Sequence, residues 1–446
     1  MKKMMSLLLL ICIFGLVGCG SNYNRDKIER VIINEKTDNI ETEMKGSFDY
    51  FYLTSNLNEG SAGYGLARDR MSNNDLSSIA STGYALSAWV IGIENGYITF
   101  EEGEKIVLGT LDTLLQMDHH HGFFYHFINI RTTIRSGYSE VSVIDTALLA
   151  LGLIVVGEYF GGEILKKADQ LIDSIEWPWY LNETTSQFYM SYSPETDRHS
   201  GAWNHYAEQL MMYILSAGSK QYSVGKLPYN VMVTASRLSY KGSTYSTSDP
   251  SYNTSEYLYT YNGSLFIYQY SQAYIDFRNI EDENGINWYE NSVEATKSQY
   301  GFALDNQTKY LSLGPDSWGA SAGDGPNGYQ AYGLPLAKNY TFDGTVVPYA
   351  AVASINYLEE EAILALDNYY SNEFIYGKYG LKSAFNLGVL EGDTYTNPWY
   401  SSDYVGIDKG NTLVMLENYV SGYIWALVMR SPHIVRGLKA LGFEEK

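Results

Sequence analysis

The amino-acid sequence predicts an all-α fold, a toroid in which helices close into a double ring. Three observations point there: successive apolar stripes of helical period, a scarcity of strand-type alternation, and long intervening segments rich in Gly, Asn, Ser and Tyr. The stripes predict helices at about Ser77–Glu94, Glu101–Met117, Ser142–Tyr159, Glu163–Ile175, Trp203–Ala217, Asn230–Tyr240 and Gly263–Phe277. Others follow at about Ser292–Asp305, Glu359–Tyr370 and Thr412–Met429. In the first of them Ile79, Ala80, Gly83, Tyr84, Leu86, Ser87 and Val90 recur at spacings of three and four, which marks one buried face. About a dozen helices joined alternately by short turns and long decorated loops suit a closed double ring better than a four-helix bundle. No period repeats its residues, so a tandem-repeat solenoid ranks lower. In such a ring the long loops gather at one mouth.

The first residues bear on compartment. Lys2 and Lys3 precede an apolar run from Leu7 to Val17, too short for a permanent membrane span, and this reads as a signal peptide over residues 1–18. Leu16-Val17-Gly18-Cys19 resembles the lipobox of bacterial lipoproteins, so Cys19 is the expected lipidation site; Cys12 lies inside the apolar run. Residues 19–45 are polar with little periodicity and read as a tether, leaving a single domain over 46–446. No second run reads as a membrane span. The expected location is extracytoplasmic, on the periplasmic or cell-surface face, with the lipid as the only membrane contact.

Beyond Cys19 the mature chain holds no cysteine, which excludes disulfides and thiolate metal sites together. Stability must then come from a large core, and 446 residues, 45% hydrophobic and 18% charged, can bury one. A net charge of -21 argues against nucleic acid or an anionic polymer as partner and leaves a neutral polymer attractive. The 42 Tyr and 8 Trp offer faces that pack on sugar rings, although many will be core and surface filler. No cofactor and a monomeric state are expected.

The unusual chemistry lies in the loops. His119-His120-His121-Gly122-Phe123-Phe124-Tyr125-His126-Phe127 is aromatic and polar at once; adjacent histidines diverge and no further ligands complete a metal site, so a sugar-contacting or solvated loop is the better reading. In Ser139-Glu140-Val141-Ser142-Val143-Ile144-Asp145, Ser142 with Asp145 matches a capping box, which assigns Asp145 to capping or support. Glu140 stands outside that helix and is free for chemistry. Glu208 follows Trp203-Asn204-His205-Tyr206-Ala207, a rim-like run at the start of the next helix. Two carboxyl groups of this kind are what hydrolysis of a glycosidic bond requires, one to protonate the leaving oxygen and one to activate water or attack carbon. Later, Gly323-Asp324-Gly325-Pro326-Asn327-Gly328-Tyr329, Asp343-Gly344-Thr345 and Gly406-Ile407-Asp408-Lys409-Gly410 are turn-rich and acidic. Glu417-Asn418-Tyr419, at a helix centre, is a candidate inner-wall cluster.

With these segments in view, the chain resembles the bacterial glucoamylase-like family that includes endo-β-1,2-glucanases and sophorose-releasing β-1,2-glucan hydrolases. The likeness runs from Gly46 to Phe443 and rests on Gly65-Leu66-Ala67-Arg68-Asp69-Arg70, Ser77-Ser78-Ile79-Ala80-Ser81-Thr82-Gly83, the Gly122–Phe127 and Glu140–Ala147 segments, Tyr268–Arg278 and the acidic turns. It implies an (α/α)6 toroid, metal-free hydrolysis with inversion, and a substrate of β-1,2-linked glucose. Matching the family's acidic pocket lands on Glu140 and Glu208, with Asp145 as a third member. An acid expected shortly before Glu140 is replaced by Ser136 and Gly137. The expected sugar-contacting residues are Asp69, Arg70, His126, Trp203, Tyr206, Asp324, Tyr329, Asp343, Asp408, Glu417 and Asn418. Two rival readings are a glycan-capturing surface lipoprotein without hydrolysis, and an exo-acting α-glucan hydrolase on the same scaffold.

Overall fold

The apolar stripes become fourteen helices among the residues that the computed structural model describes, which are 27–240, 244–391, 394–395 and 398–446. The expected signal peptide and Cys19 lie outside the described residues. In chain order the helices are α1 Asp38–Thr54, α2 Ile79–Glu94, α3 Phe100–Gln116, α4 Val143–Phe160, α5 Gly162–Asp173, α6 Leu210–Gly218 and α7 Leu227–Ser239. Then follow α8 Phe266–Tyr274, α9 Trp288–Asn306, α10 Pro348–Val352, α11 Glu359–Tyr370, α12 Gly406–Ser421, α13 Tyr423–Met429 and α14 Pro432–Ala440.

The helices sort by how their sequences distribute apolar residues. α2, α4 and α12 are buried on nearly every side and pack α4–α2–α12; α2 and α4 are apolar nearly all round, whereas α12 buries charged residues as well. α3, α5 and α14 bury one stripe only; α5 packs on α4 and α3, and α14 on α6. The fold is therefore mostly helical, with buried helices flanked by amphipathic ones. By length and apolarity α4 could cross a membrane, yet 83% of it is buried inside the protein, where it is a core helix. The contact between α2 and α4 depends on two glycines: a Cβ on Gly152 would fall 2.1 Å from the Gly83 carbonyl oxygen. Much of the aromatic excess is core, since Trp89, Trp177, Trp288, Trp318 and several tyrosines are fully buried.

Short strands deliver the chain to the buried helices. β1 Arg68–Arg70, β2 Asn73–Ser78 and β3 Phe127–Asn129 form an antiparallel sheet in that order, with Arg68 opposite Ser77 and Ser78 opposite Phe127. β4 Val141–Ser142 pairs with Ser191–Ser193, itself paired with Arg198–Ser200. β2 runs straight into α2, whose cap is Ser78, and β4 into α4, whose cap is Ser142. Val405, bridged to Arg70, caps α12.

The structure corrects several expected boundaries. The segment expected as tether is folded from Lys27 onward: residues 27–37 lie across α12, and α1 begins at Asp38, eight residues before Gly46. Its Asp38, Glu41, Glu43 and Lys45 masked the stripe formed by Ile40, Met44, Phe48 and Phe51. Residues 203–209 are not helical, so α6 starts at Leu210; the Gln209 side chain instead holds His205 O and Ala207 N. The long expected helix Thr412–Met429 is two, α12 and α13, bent by 95° at Gly422, which takes φ 66° and suits the left-handed C-cap.

Candidate active site

The segments leading into α2, α4 and α6 and the first turns of α4 and α12 bring Asp69, Glu140, Glu208, Asp145 and Asp408 to one place. Ser142 Oγ accepts the Asp145 N–H at 3.2 Å and donates to the Asp145 carboxylate, which is the expected capping arrangement. The same carboxylate turns its other oxygen toward His126, 3.7 Å from Nε2. His126 Nδ1 lies 2.9 Å from Glu140 Oε1, and the His126 N–H donates to the Glu140 carbonyl at 2.9 Å. Asp145 is thus cap and site member together. Arg135 steadies this hairpin: its Nε donates to the Ser139 carbonyl, its guanidinium pairs with Glu195 and lies 4.9 Å over the Tyr125 ring.

Electrostatics sets the two expected acids apart. Burial pushes the His126 imidazole down, but the Asp145 carboxylate and the Glu140 hydrogen bond outweigh it and raise its pKa to about 9. His126 is therefore an imidazolium at neutral pH, hydrogen-bonded to Glu140 through Nδ1 and facing Asp145 through Nε2. That hydrogen bond, against the opposing effect of burial, holds the Glu140 carboxyl below its usual range. Glu208 behaves oppositely: burial first, then the Asp145 charge, raise it to about 8, with His126 pulling the other way. Its side chain keeps a partly open surface but is walled by protein on the scale over which charge is solvated. Asp69 on β1 is raised too, by burial, while Ser78, His126 and Arg70 oppose.

Beyond this cluster stands a second group. Arg70 pairs with Asp324 at 2.7 Å and faces Asp403 at 3.1 Å, and Ser401 donates to Asp324 at 2.9 Å. The half-exposed ring of Tyr329 sits 5.7 Å from the Arg70 guanidinium. Asp408, in the first turn of α12, is 3% exposed, and neither carboxylate oxygen has a hydrogen-bond partner. Burial, then Asp324, pushes this carboxyl well up, against Lys409 and Arg70. The Tyr84 hydroxyl is likewise buried without a partner and feels both Glu208 and Asp408. Tyr84 therefore links the two groups into one acidic hollow. Unpartnered buried polar atoms gathered in this way leave hydrogen-bonding capacity that the chain itself does not fill.

The expected site residues divide accordingly. Asp69, Arg70, His126, Glu140, Asp145, Glu208, Asp324, Tyr329 and Asp408 come together. Glu417 and Asn418 do not: they lie at the opposite end of α12, where Glu417 binds Arg30, Asn95 and Ser421, and Asn418 holds Ala273 O and Trp425 N. Tyr206 is core, its ring 4.5 Å from that of Trp288, and Trp203 is buried, its backbone N–H donated to Phe188 O while its indole N–H has no hydrogen-bond partner. Asp343 holds a turn by accepting the Thr345 N–H and, at its carbonyl, the Asn386 amide. The three consecutive histidines part company, to Gly122 N, Tyr125 and Glu176. Sequence reasoning missed Asp403 and Tyr84. Tyr84 fell on an apolar stripe and counted as core; Asp403 carried no signal beyond its nearness to the turn before α12.

Comparison with known proteins finds relatives along most of the chain. The crystal structure of a Chitinophaga pinensis endo-β-1,2-glucanase, in complex with sophorotriose and glucose, superposes with a TM-score of 0.78 at 26% identity, over 91% of this chain and 98% of that one. A curated relative, the exo β-1,2-glucooligosaccharide sophorohydrolase (non-reducing end) of Parabacteroides distasonis, is 28% identical over 436 residues; they cover 90% of this chain, which spans only 57% of that protein's length. A Bacteroides uniformis crystal structure described as a "putative glucoamylase" gives a TM-score of 0.80 at 26% identity, over 92% of this chain and 99% of that one. The Glycoamylase family model, of the same description, matches residues 200–432, more than half of the chain. The protein belongs to the Glycoamylase family.

Proposed function

We propose that the protein is a glycoside hydrolase that cleaves a β-1,2-linked glucan by acid/base hydrolysis with inversion, on an (α/α)6 toroid. One observation carries the reading: two carboxyl groups, Glu208 and Glu140, are held in opposite protonation states around His126 and Asp145. With its pKa near 8, Glu208 keeps its proton at neutral pH and gives it to the glycosidic oxygen as the bond to the anomeric carbon breaks. Glu140, ionised against the His126 imidazolium, orients a water whose oxygen bonds that carbon and takes the water's proton. Asp145 fixes the imidazolium, and Arg70, Asp324, Tyr329 and Asp69 offer a charged and aromatic wall to sugar hydroxyls and ring faces. Relatives named for β-1,2-glucan and its oligosaccharides support the linkage, and a net charge of -21 suits a neutral polymer. The toroid is supported by buried helices whose N-terminal ends converge on the hollow.

A second reading of the base rests on Asp408. Its two unpartnered, buried oxygens suit a carboxylate that acts on water through a sugar hydroxyl, leaving Glu140 to position His126. The chain is further proposed to be lipidated at Cys19 and held on the outer side of a membrane as a monomer; Cys19→Ala is expected to move it from the membrane to the soluble fraction. Side-by-side incubation with linear β-1,2-glucan and with starch-derived oligosaccharides tests the substrate. Release of sophorose or longer β-1,2 products only from the first supports the reading; release of glucose only from the second supports an α-glucan hydrolase. Binding without any cleavage leaves a glycan-capturing lipoprotein.

A further inference from the structure

We infer that the face formed by Val31, Ile32, Ile33 and Phe100 rests on the lipid surface, with the acidic hollow opening away from the membrane; this builds on the lipid-anchor reading above. Helix polarity supplies the first part of the argument. α2, α4 and α12 each present their first turn to the hollow, through Ser78, Asp145 and Asp408. Their last turns meet at the opposite face, where residues 27–37 cross them: Ile33 N donates to Val420 O at 2.7 Å, Arg30 reaches Glu417 and Asn95, and Lys27 Nζ lies 5.9 Å from the centre of the Tyr159 ring. α4 has 18 residues, so at 1.5 Å per residue the two faces stand about 27 Å apart.

Chain length supplies the second part. Lys27 leaves from this face, and Cys19 is eight residues before it. Fully extended, that stretch reaches about 26–29 Å, close to the separation of the two faces, so an acyl group on Cys19 brings this face to the bilayer directly, whereas bringing the hollow there would take the whole stretch laid along the body.

Composition supplies the third. Val31, Ile32 and Ile33 are consecutive β-branched residues exposed by 61%, 52% and 61%, a run that a folded surface otherwise avoids. Phe100, 42% exposed, adds an aromatic at the same end, its ring 5.3 Å from Phe160 and 6.3 Å from Tyr159. Apolar side chains beside a cation are what a headgroup boundary accepts, and a lipid chain gains a second, weak attachment from them. The contact has to be apolar, because the acidic body gains nothing from an anionic bilayer.

The test uses the lipidated protein on phosphatidylcholine vesicles. A reporter cysteine is placed at Ile32 or at Tyr138, which is 86% exposed on the loop before Glu140, and is labelled with an environment-sensitive dye. The expected result is a blue-shifted emission at position 32, quenched by nitroxide lipid about twofold or more above position 138, which stays water-like. Protein that floats with the vesicles while position 32 stays water-like, or while position 138 is quenched as strongly, overturns the docking and leaves the anchor standing. Protein that does not float overturns both. The triple variant Val31→Ser, Ile32→Ser, Ile33→Ser is expected to abolish the shift at Phe100→Cys while hydrolysis of soluble glucan stays unchanged; a persistent shift contradicts the assignment of the patch.

Discussion

The two ends of α12 treat buried charge in opposite ways. Near its C-terminus Glu417 is fully buried, and its carboxylate accepts from Arg30 at 2.5 and 3.0 Å, from Asn95 at 3.0 Å and from Ser421 at 2.5 Å. Near its N-terminus Lys409 is as well satisfied, bound to Glu43 at 2.6 Å and to Leu381 O at 3.0 Å, while Glu43 also takes Tyr370, Ser47 and Leu381 N. The carboxyl group of Asp408, the residue before Lys409, has no hydrogen-bond partner. Desolvating a charge is costly unless it is paired, so full pairing is what a charge kept for the fold requires. An open carboxyl in the same helix is kept for something that arrives.

Substitutions can break that contrast. Glu208→Gln and Glu140→Gln are expected to cut turnover of β-1,2-glucan by about 10²–10⁴-fold, since each removes a proton-transfer group, with the melting temperature of Glu208→Gln nearly unchanged at pH 5. Asp408→Asn is expected to behave alike in activity and to leave stability unchanged or raised, because it relieves an unpaired buried carboxyl; urea unfolding reads this directly. Glu43→Ala does the reverse, stranding Lys409 and costing about 3–5 kcal/mol of stability. Arg30→Ala is milder, about 1–3 kcal/mol by the same unfolding assay, because Asn95 and Ser421 still serve Glu417.

Protonation sharpens the contrast further. Glu208 is raised from its ordinary 4.5 to about 8, so between those values the folded state binds more protons than the unfolded chain. Its contribution to stability is complete below pH 4.5 and is lost as pH rises to about 8. Thermal unfolding at pH 5 and pH 8.5 should show Glu208→Gln gaining on the parent at the higher pH. Catalysis should fall in the same direction, with kcat/KM declining as pH passes about 8 and the acid loses its proton. A profile flat to pH 10 removes Glu208 as the acid.

Periodicity made the buried helices legible: α2, α3, α4 and α5 fall within two residues of their expected ends, and α11 matches at both. It failed where another term dominates. α1 hides its stripe among charges that face solvent or, as Glu43, are buried in pairs; Gly422 breaks an apolar run that reads as one helix. Glu140 and Asp145 were legible because a helix cap leaves a local mark, and Glu208 through the family resemblance, since the aromatic run before it proved to be core. Glu417 and Asn418 misled because a place at a helix centre does not tell which end of the fold a residue occupies, and Tyr206 because an aromatic beside polar neighbours looks the same on a rim and in a core. Asp403 and Tyr84 gain their meaning only from the meeting of distant segments, Ser72 bonded to Asp403 and Tyr84 brought within the influence of Glu208 and Asp408.

Anomeric proton NMR of wild-type and Glu208→Gln protein during hydrolysis of linear β-1,2-glucan tests the central claim most directly. The account requires the first product of the wild type to carry the α-anomer at its new reducing end, mutarotating later, and the variant to release almost none. Product formed first as the β-anomer, or a variant as active as the parent, contradicts it.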